Sequence, residues 1–190
     1  LKRRVVPALK VITPYFNNPN YILPLANKIN ESLKTNTPER IVLSYHGIPK
    51  SYIDKGDSYC CQCVETTKYL RKYVNFPSEK IIHTFQSRFG RDPWLTPYTD
   101  VTIEELAKEG IKNISVFCPG FPTDCLETLD ELGNEAKELF EEHGGKHFEL
   151  IPCLNDDDNW VEGIYNIVHE EIKPQLELKW DPEKIKCPVF

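Results

Sequence analysis

His46, Glu127 and two further glutamates, Glu131 and Glu135, are the residues whose types and spacing could move protons or hold a divalent cation. An imidazole is neutral near pH 7, so it can accept a proton or ligate a borderline metal, and a carboxylate beside it can take the proton onward. The pair suits proton abstraction next to a metal ion. Glu131 and Glu135 follow Glu127 one helical turn at a time, a line that could carry hydrated cations inward or protons outward. The same periodicity also fits a solvated helix face, since helices ordinarily show their charges to water. Cys60, Cys61 and Cys63 form a second group that could supply thiolates to a metal or cluster, although CCQC lacks the two-residue gap usual in such sites. Cys118, Cys125 and Cys153 read as small core residues.

These residues are far apart in the chain and need a scaffold to meet. Strand and helix patterns alternate, which predicts an α/β fold: a three-layer, Rossmann-like domain whose mainly parallel sheet of four to five strands is flanked by helices. The candidate strands cover residues 9–15, 40–45, 80–85, 114–118 and 147–152. Helical periodicity covers residues 20–34, 60–73, 101–109 and 160–172, with 48–58 as a polar loop and Pro174 as a stop. The organising stretch is 114–142, a buried strand, a turn with two prolines and a glycine, then one long amphipathic helix. In that helix Leu126, Leu129, Leu132, Ala136, Leu139 and Phe140 predict a packed face, and Glu127, Glu131, Glu135, Glu138 and Glu142 the opposite one. In a parallel sheet the strand C-terminal ends share one edge, where open α/β sheets bind ligands. That edge would gather Tyr15, Phe16, His46, Gln86, Ser87, Cys118, residues 119–127 and Asn155.

The chain has 190 residues, 40% of them hydrophobic and 27% charged, the balance of a soluble globular domain. A formal charge of -6 gives no reason to expect nucleic-acid binding, which needs clustered Lys and Arg. No apolar run reaches the roughly 18 to 20 residues of a spanning helix. Seven cysteines, an odd number, fit free thiols in a reducing compartment better than a disulfide framework. The sequence starts at Leu1 and contains no Met, so the expectation is a piece of a longer protein.

Four stretches, SYHGIPKSYIDKGDSY, FQSRFGRDPWLTPYTD, CPGFPTDCLETLDEL and IPCLNDDDNW, are similar to successive blocks of the ferrochelatases, enzymes that insert ferrous iron into a porphyrin at the end of haem synthesis. The resemblance runs to about residue 172 with the blocks in family order. It implies a chelatase-type domain over residues 1–174 that corresponds to the C-terminal of the enzyme's two similar domains, with 175–190 as a tail and the N-terminal domain lacking. The macrocycle would lie in the cleft between the two. The implied reaction inserts Fe(II) into protoporphyrin IX, giving protohaem and releasing two protons. Coproporphyrin III as substrate stays open, as does a tetrapyrrole- or metal-binding domain without turnover, and the isolated chain is expected to be inactive.

Matched block by block, His46 corresponds to the histidine of the family's SxHGxP block and Glu127 to the glutamate of its CLET block. The resemblance makes them the inner catalytic and metal-side pair, their roles undivided. Glu131 and Glu135 match the acidic line of the cation or proton route. Trp94 matches a tryptophan suited to macrocycle stacking, for which a core ring is the alternative, and Tyr59, Gln86, Ser87 and Arg88 match residues near the porphyrin and its propionates. Some ferrochelatases carry a [2Fe-2S] cluster whose ligands lie mostly in a C-terminal extension. Here the tail offers only Cys187, leaving Cys60, Cys61 and Cys63 as candidates. The implied partners are protoporphyrin IX, ferrous iron and the other domain. The implied location is the cytoplasm, with peripheral contact at the inner membrane.

Overall fold

Four short strands build the sheet, the central two near-continuous in apolar residues: β1 (Arg40–His46), β2 (Ile81–Gln86), β3 (Asn113–Phe117) and β4 (His147–Leu150). The computed structural model describes residues 9–176. The strands are all parallel, in the order β2-β1-β3-β4. Side chains alternate across the pleat, so one sequence feeds two cores. Ile41, Leu43 and Tyr45 of β1 enter a cluster with Tyr21, Leu25 and Ile29 of α1 (Pro19–Ser32), Leu70 of α3 (Tyr59–Tyr73) and Ile167 of α7 (Asp158–Leu176). Val42 turns the other way, to Ile103 of α4 (Thr99–Lys108) and Phe140 of α6 (Lys137–Glu142). Helices therefore cover both faces, the expected three layers. The first core closes tightly where a side chain at Gly163 of α7 would meet the Asn20 carbonyl oxygen of α1 at 2.1 Å.

Three sequence expectations are corrected. Residues 9–15 form no strand: Leu9 and Val11 are exposed, while Ile12 and Tyr15 pack on the first core. A strand of a parallel sheet is buried on both faces, and a run containing Lys10 and Pro14 cannot supply two apolar faces. α7 continues past Pro174 to Leu176, because a proline in the last turn removes only one internal hydrogen bond. Gln175 and Leu176 thus belong to α7, and the rest of the expected tail, Cys187 included, lies outside the described residues. The expected loop over 48–58 contains a short helix, α2 (Lys50–Asp54).

The largest correction concerns the long helix. It is three pieces: α5 (Leu126–Leu129), a π-helical turn (Glu131–Ala136) and α6. At the junction the N–H groups of Asn134 and Glu135 both reach the Asp130 carbonyl at 3.0 Å, the wide pattern of a π-turn. The changed phase leaves Leu126 and Leu129 72% and 55% exposed and buries Thr128 in their place. Leu132, Ala136 and Phe140 still face the second core.

Candidate active site

His46 is the last residue of β1 and pairs in register with Gln86, the last of β2. The chain leaves β1 through Gly47, whose N–H bonds to the Gln86 carbonyl at 2.8 Å. A side chain at Gly47 would meet that oxygen at 2.9 Å and the Trp94 ring at 3.1 Å, so glycine is what lets the tryptophan lie against the strand end. The His46 ring is half-buried between Trp94 and Phe121, each 6.4 Å away between centroids. Its Nδ1 lies 2.6 Å from the Gly47 carbonyl oxygen. A carbonyl only accepts, so Nδ1 carries the proton and Nε2 of the neutral ring keeps its lone pair for a metal or a proton. Behind it, Tyr59 donates to the His46 carbonyl at 2.9 Å, and burial pushes the Tyr59 phenol up so that it stays a donor.

Glu127 sits in the first turn of α5. Cys125 caps this helix, and Thr128 returns a bond to the Cys125 N–H at 2.9 Å. One step back, Asp124 and Asn155 hold each other: the Asp124 N–H donates to Asn155 Oδ1 at 2.8 Å and Asn155 Nδ2 to Asp124 Oδ2 at 2.7 Å. This ties the proline-rich turn to the segment that leaves β4. The Glu127 carboxyl is held below its usual range by the Cys125 thiol, then by its own backbone N–H, with attraction to His46 adding to both. His46 ends β1 and Glu127 lies in the first turn of α5, and both are tied to Gln86, the one by strand register and the other through its backbone carbonyl.

The remaining expected residues divide. Trp94 is half-exposed, not a core ring, and its Nε1 donates to the Phe89 carbonyl at 2.8 Å. Arg88 pairs with Asp100 at 2.7 Å and lies 4.2 Å above the Tyr98 ring. Exposed pairs of this kind contribute about 0–1 kcal/mol, so Arg88 can leave Asp100 for another anion. Gln86 is 4% exposed with both ends of its amide engaged, so its side chain has no free group for a porphyrin. Ser87 gives its N–H and hydroxyl to the Glu131 carboxylate at 2.7 and 2.5 Å. Glu135 is exposed. Glu131, Glu135, Arg88 and Asp100 border a cleft of about 400 Å³ beside β2.

The straight helical row expected for Glu127, Glu131 and Glu135 is broken by the π-turn. Among the described residues no group of three or more His, Cys, Asp and Glu side chains is arranged to hold a metal ion. The π-turn sends Glu131 to Ser87 rather than into a row behind Glu127. Cys60 is half-buried, Cys61 exposed and Cys63 buried, three thiols within α3, whereas a [2Fe-2S] centre takes four protein ligands. Two residues the sequence reading did not single out matter here: Asp124, just before a helix start where a carboxylate often caps, and Gly47, needed for the close approach of Trp94.

A parallel four-stranded sheet, covered on both faces and offering a histidine and a glutamate at its C-terminal edge, defines a chelatase-type α/β domain. The solved structure of SirB from Bacillus subtilis with Fe3+ has this fold, at TM-score 0.59 and 15% identity over 90% of this chain and 61% of that one. The chain belongs to the ferrochelatase family, whose model, described as Ferrochelatase, matches residues 1–172. The ferrochelatase of Rhizobium meliloti (strain 1021) is 49% identical over 178 residues, 93% of this chain and 52% of that protein. That of Brucella ovis is 49% identical over 174 residues, 90% and 49% respectively. The chain spans about half the length of the curated relatives it matches.

Proposed function

We propose that this chain is the metal-side half of a ferrochelatase that inserts Fe(II) into protoporphyrin IX. The observation that carries the reading is that Gln86, the register partner of His46, also hydrogen-bonds the Glu127 carbonyl, which brings both residues to one sheet edge in a chain of this family. In the reaction a porphyrin with two pyrrole N–H groups and Fe(II) become protohaem and two protons. His46 Nε2 offers a lone pair to the metal or to the first proton, and ionised Glu127 beside it accepts or relays a proton. Trp94 offers the face of an indole to the macrocycle. Arg88 can exchange Asp100 for a propionate. Since the relatives are about twice as long, the cleft is completed by a second domain, and the 190-residue chain alone is catalytically silent.

In the same reading the enzyme works in the cytoplasm and meets the inner membrane only at its surface. None of the described helices is long and apolar enough to cross a membrane. The test is anaerobic insertion of Fe(II), or of Zn(II) as a stable surrogate, by the whole protein that carries this chain. Loss of free-base porphyrin emission, replaced by zinc-porphyrin emission where Zn(II) is used, is expected faster with protoporphyrin IX than with coproporphyrin III. No turnover with either porphyrin overturns the reading.

A further inference from the structure

The Gln86 side chain is buried with both ends of its amide bonded, and those bonds point to a further role. Its Nε2 donates to the backbone carbonyl of Glu127 at 2.8 Å and approaches the Glu131 carboxylate at 3.4 Å. Its Oε1 accepts from the Ser44 hydroxyl at 2.7 Å. The amide cannot be turned round, because the Glu127 carbonyl and the Glu131 carboxylate only accept, so the NH2 must face them and Ser44 must donate. Ser44 is itself 0% exposed and sits 2.8 Å from the Thr99 hydroxyl, which donates to Thr84. Beyond Gln86 the chain turns through Ser87 at φ 63°, a conformation unusual for serine, and there it offers N–H and Oγ to Glu131. The end of β2 thus grips the Glu127 helix at a backbone carbonyl and at a carboxylate one turn on. β2 is also the strand whose last residue pairs with His46.

We infer that Gln86 is a positioning residue, which fixes the peptide of Glu127 relative to His46 through its buried amide. Both partners are referenced to the same residue: His46 by strand register, Glu127 by the side-chain hydrogen bond. A short helix followed by a π-turn, with Leu126 and Leu129 exposed, has few apolar contacts of its own to hold that spacing. The amide supplies what packing does not.

The inference rests on the proposed chelatase activity, and the experiment separates the two. In the whole protein, Gln86→Met keeps the length of the side chain and removes both bonds. Its kcat for Zn(II) insertion should fall on the order of 10- to 100-fold, the scale of a small misplacement of a reacting group. The KM for porphyrin should change less than about twofold, because Gln86 does not touch the macrocycle. Ser44→Ala, which frees the far end of the amide, should give a smaller fall in kcat with the same split. A folded Gln86→Met protein with parental kcat overturns the inference, as does a rise in KM at unchanged kcat. If that variant does not fold, a parental kcat in Ser44→Ala overturns it instead. An inactive parent overturns the proposed function and is read before either variant.

Discussion

Glu131 accepts both the N–H and the hydroxyl of Ser87, at 2.7 and 2.5 Å, across 44 residues of chain. A carboxylate engaged twice in this way is part of the frame, whereas Glu135, four residues on, is exposed. The two should respond differently to loss of charge. Glu131→Gln is expected to lower stability by about 1 kcal/mol, a charge-assisted bond discounted for partial exposure. Glu135→Gln should stay within about 0.5 kcal/mol of the parent. Both should cost less turnover than Glu127→Gln, with Glu135→Gln affected mainly at low metal concentration. Urea titration together with insertion rates at limiting and saturating Zn(II) checks this, and equal behaviour of the two glutamines contradicts it.

Glu127→Gln and His46→Ala in the whole protein should each lower insertion by at least about 100-fold, the typical contribution of a positioned proton acceptor. The fold should persist, because both side chains sit at the strand edge outside the two cores. Near-parental rates from either folded variant would remove the pair from the chemistry.

Asp124 supplies a pH dependence. Burial alone would raise its carboxyl, but the hydrogen bonds from Asn155, Cys153 and Thr128 outweigh that and hold it below the usual range. A carboxyl lowered on folding stabilises above its unfolded value, about 3.9, and that contribution is lost as pH falls through the folded value. Asp124→Asn should therefore be less stable than the parent at pH 7, with the difference shrinking below about pH 4. A gap in denaturation midpoint that stays constant from pH 7 to pH 3 would show that Asp124's charge is not what stabilises the turn.

His83 acts in the same direction by a different cause. Desolvation, with Arg71 adding to it, lowers this imidazole to about 4, and its Nε2 is buried without a partner. A histidine lowered on folding is stabilising while neutral, and the contribution is lost as pH falls from about 6.5 through the folded value. Replacing it by the non-titrating His83→Gln should flatten the stability profile between about pH 6.5 and pH 4. An unchanged slope in chemical denaturation over that window would assign the acid sensitivity elsewhere.

The fold was legible where burial imposes pattern. The two central strands, β1 and β3, are near-continuous apolar runs because both sheet faces are covered, and the helices that cover them follow the usual spacing. The run at 9–15 has similar composition but no second face to bury, a distinction that composition does not carry. The π-turn was invisible for a related reason. Leu126, Leu129 and Leu132 fit an unbroken helix, and only tertiary bonds from Gln86 and Ser87 show why the phase shifts after Asp130. Of the site, His46 and Glu127 were readable as chemistry at strand ends. Gln86 was not, since a glutamine after a strand looks the same whether it faces a ligand or a neighbouring backbone carbonyl.

The last prediction concerns the 190-residue chain by itself. Its two cores are complete among the described residues, so it should fold. The edge bearing the site, however, presents Phe89 at 84% exposure with Leu126 at 72% and Leu129 at 55%. Apolar surface gathered beside a candidate site marks an interface more often than a solvated face. The relatives are about twice as long, so they have further chain available to cover that surface. Alone, the chain should be folded by circular dichroism, self-associate as concentration rises in sedimentation, and insert no Zn(II) into protoporphyrin IX. Phe89→Ser with Leu126→Ser should reduce the self-association without unfolding the chain. Measurable insertion by the 190 residues alone would place the whole site within them and show that no second half is needed.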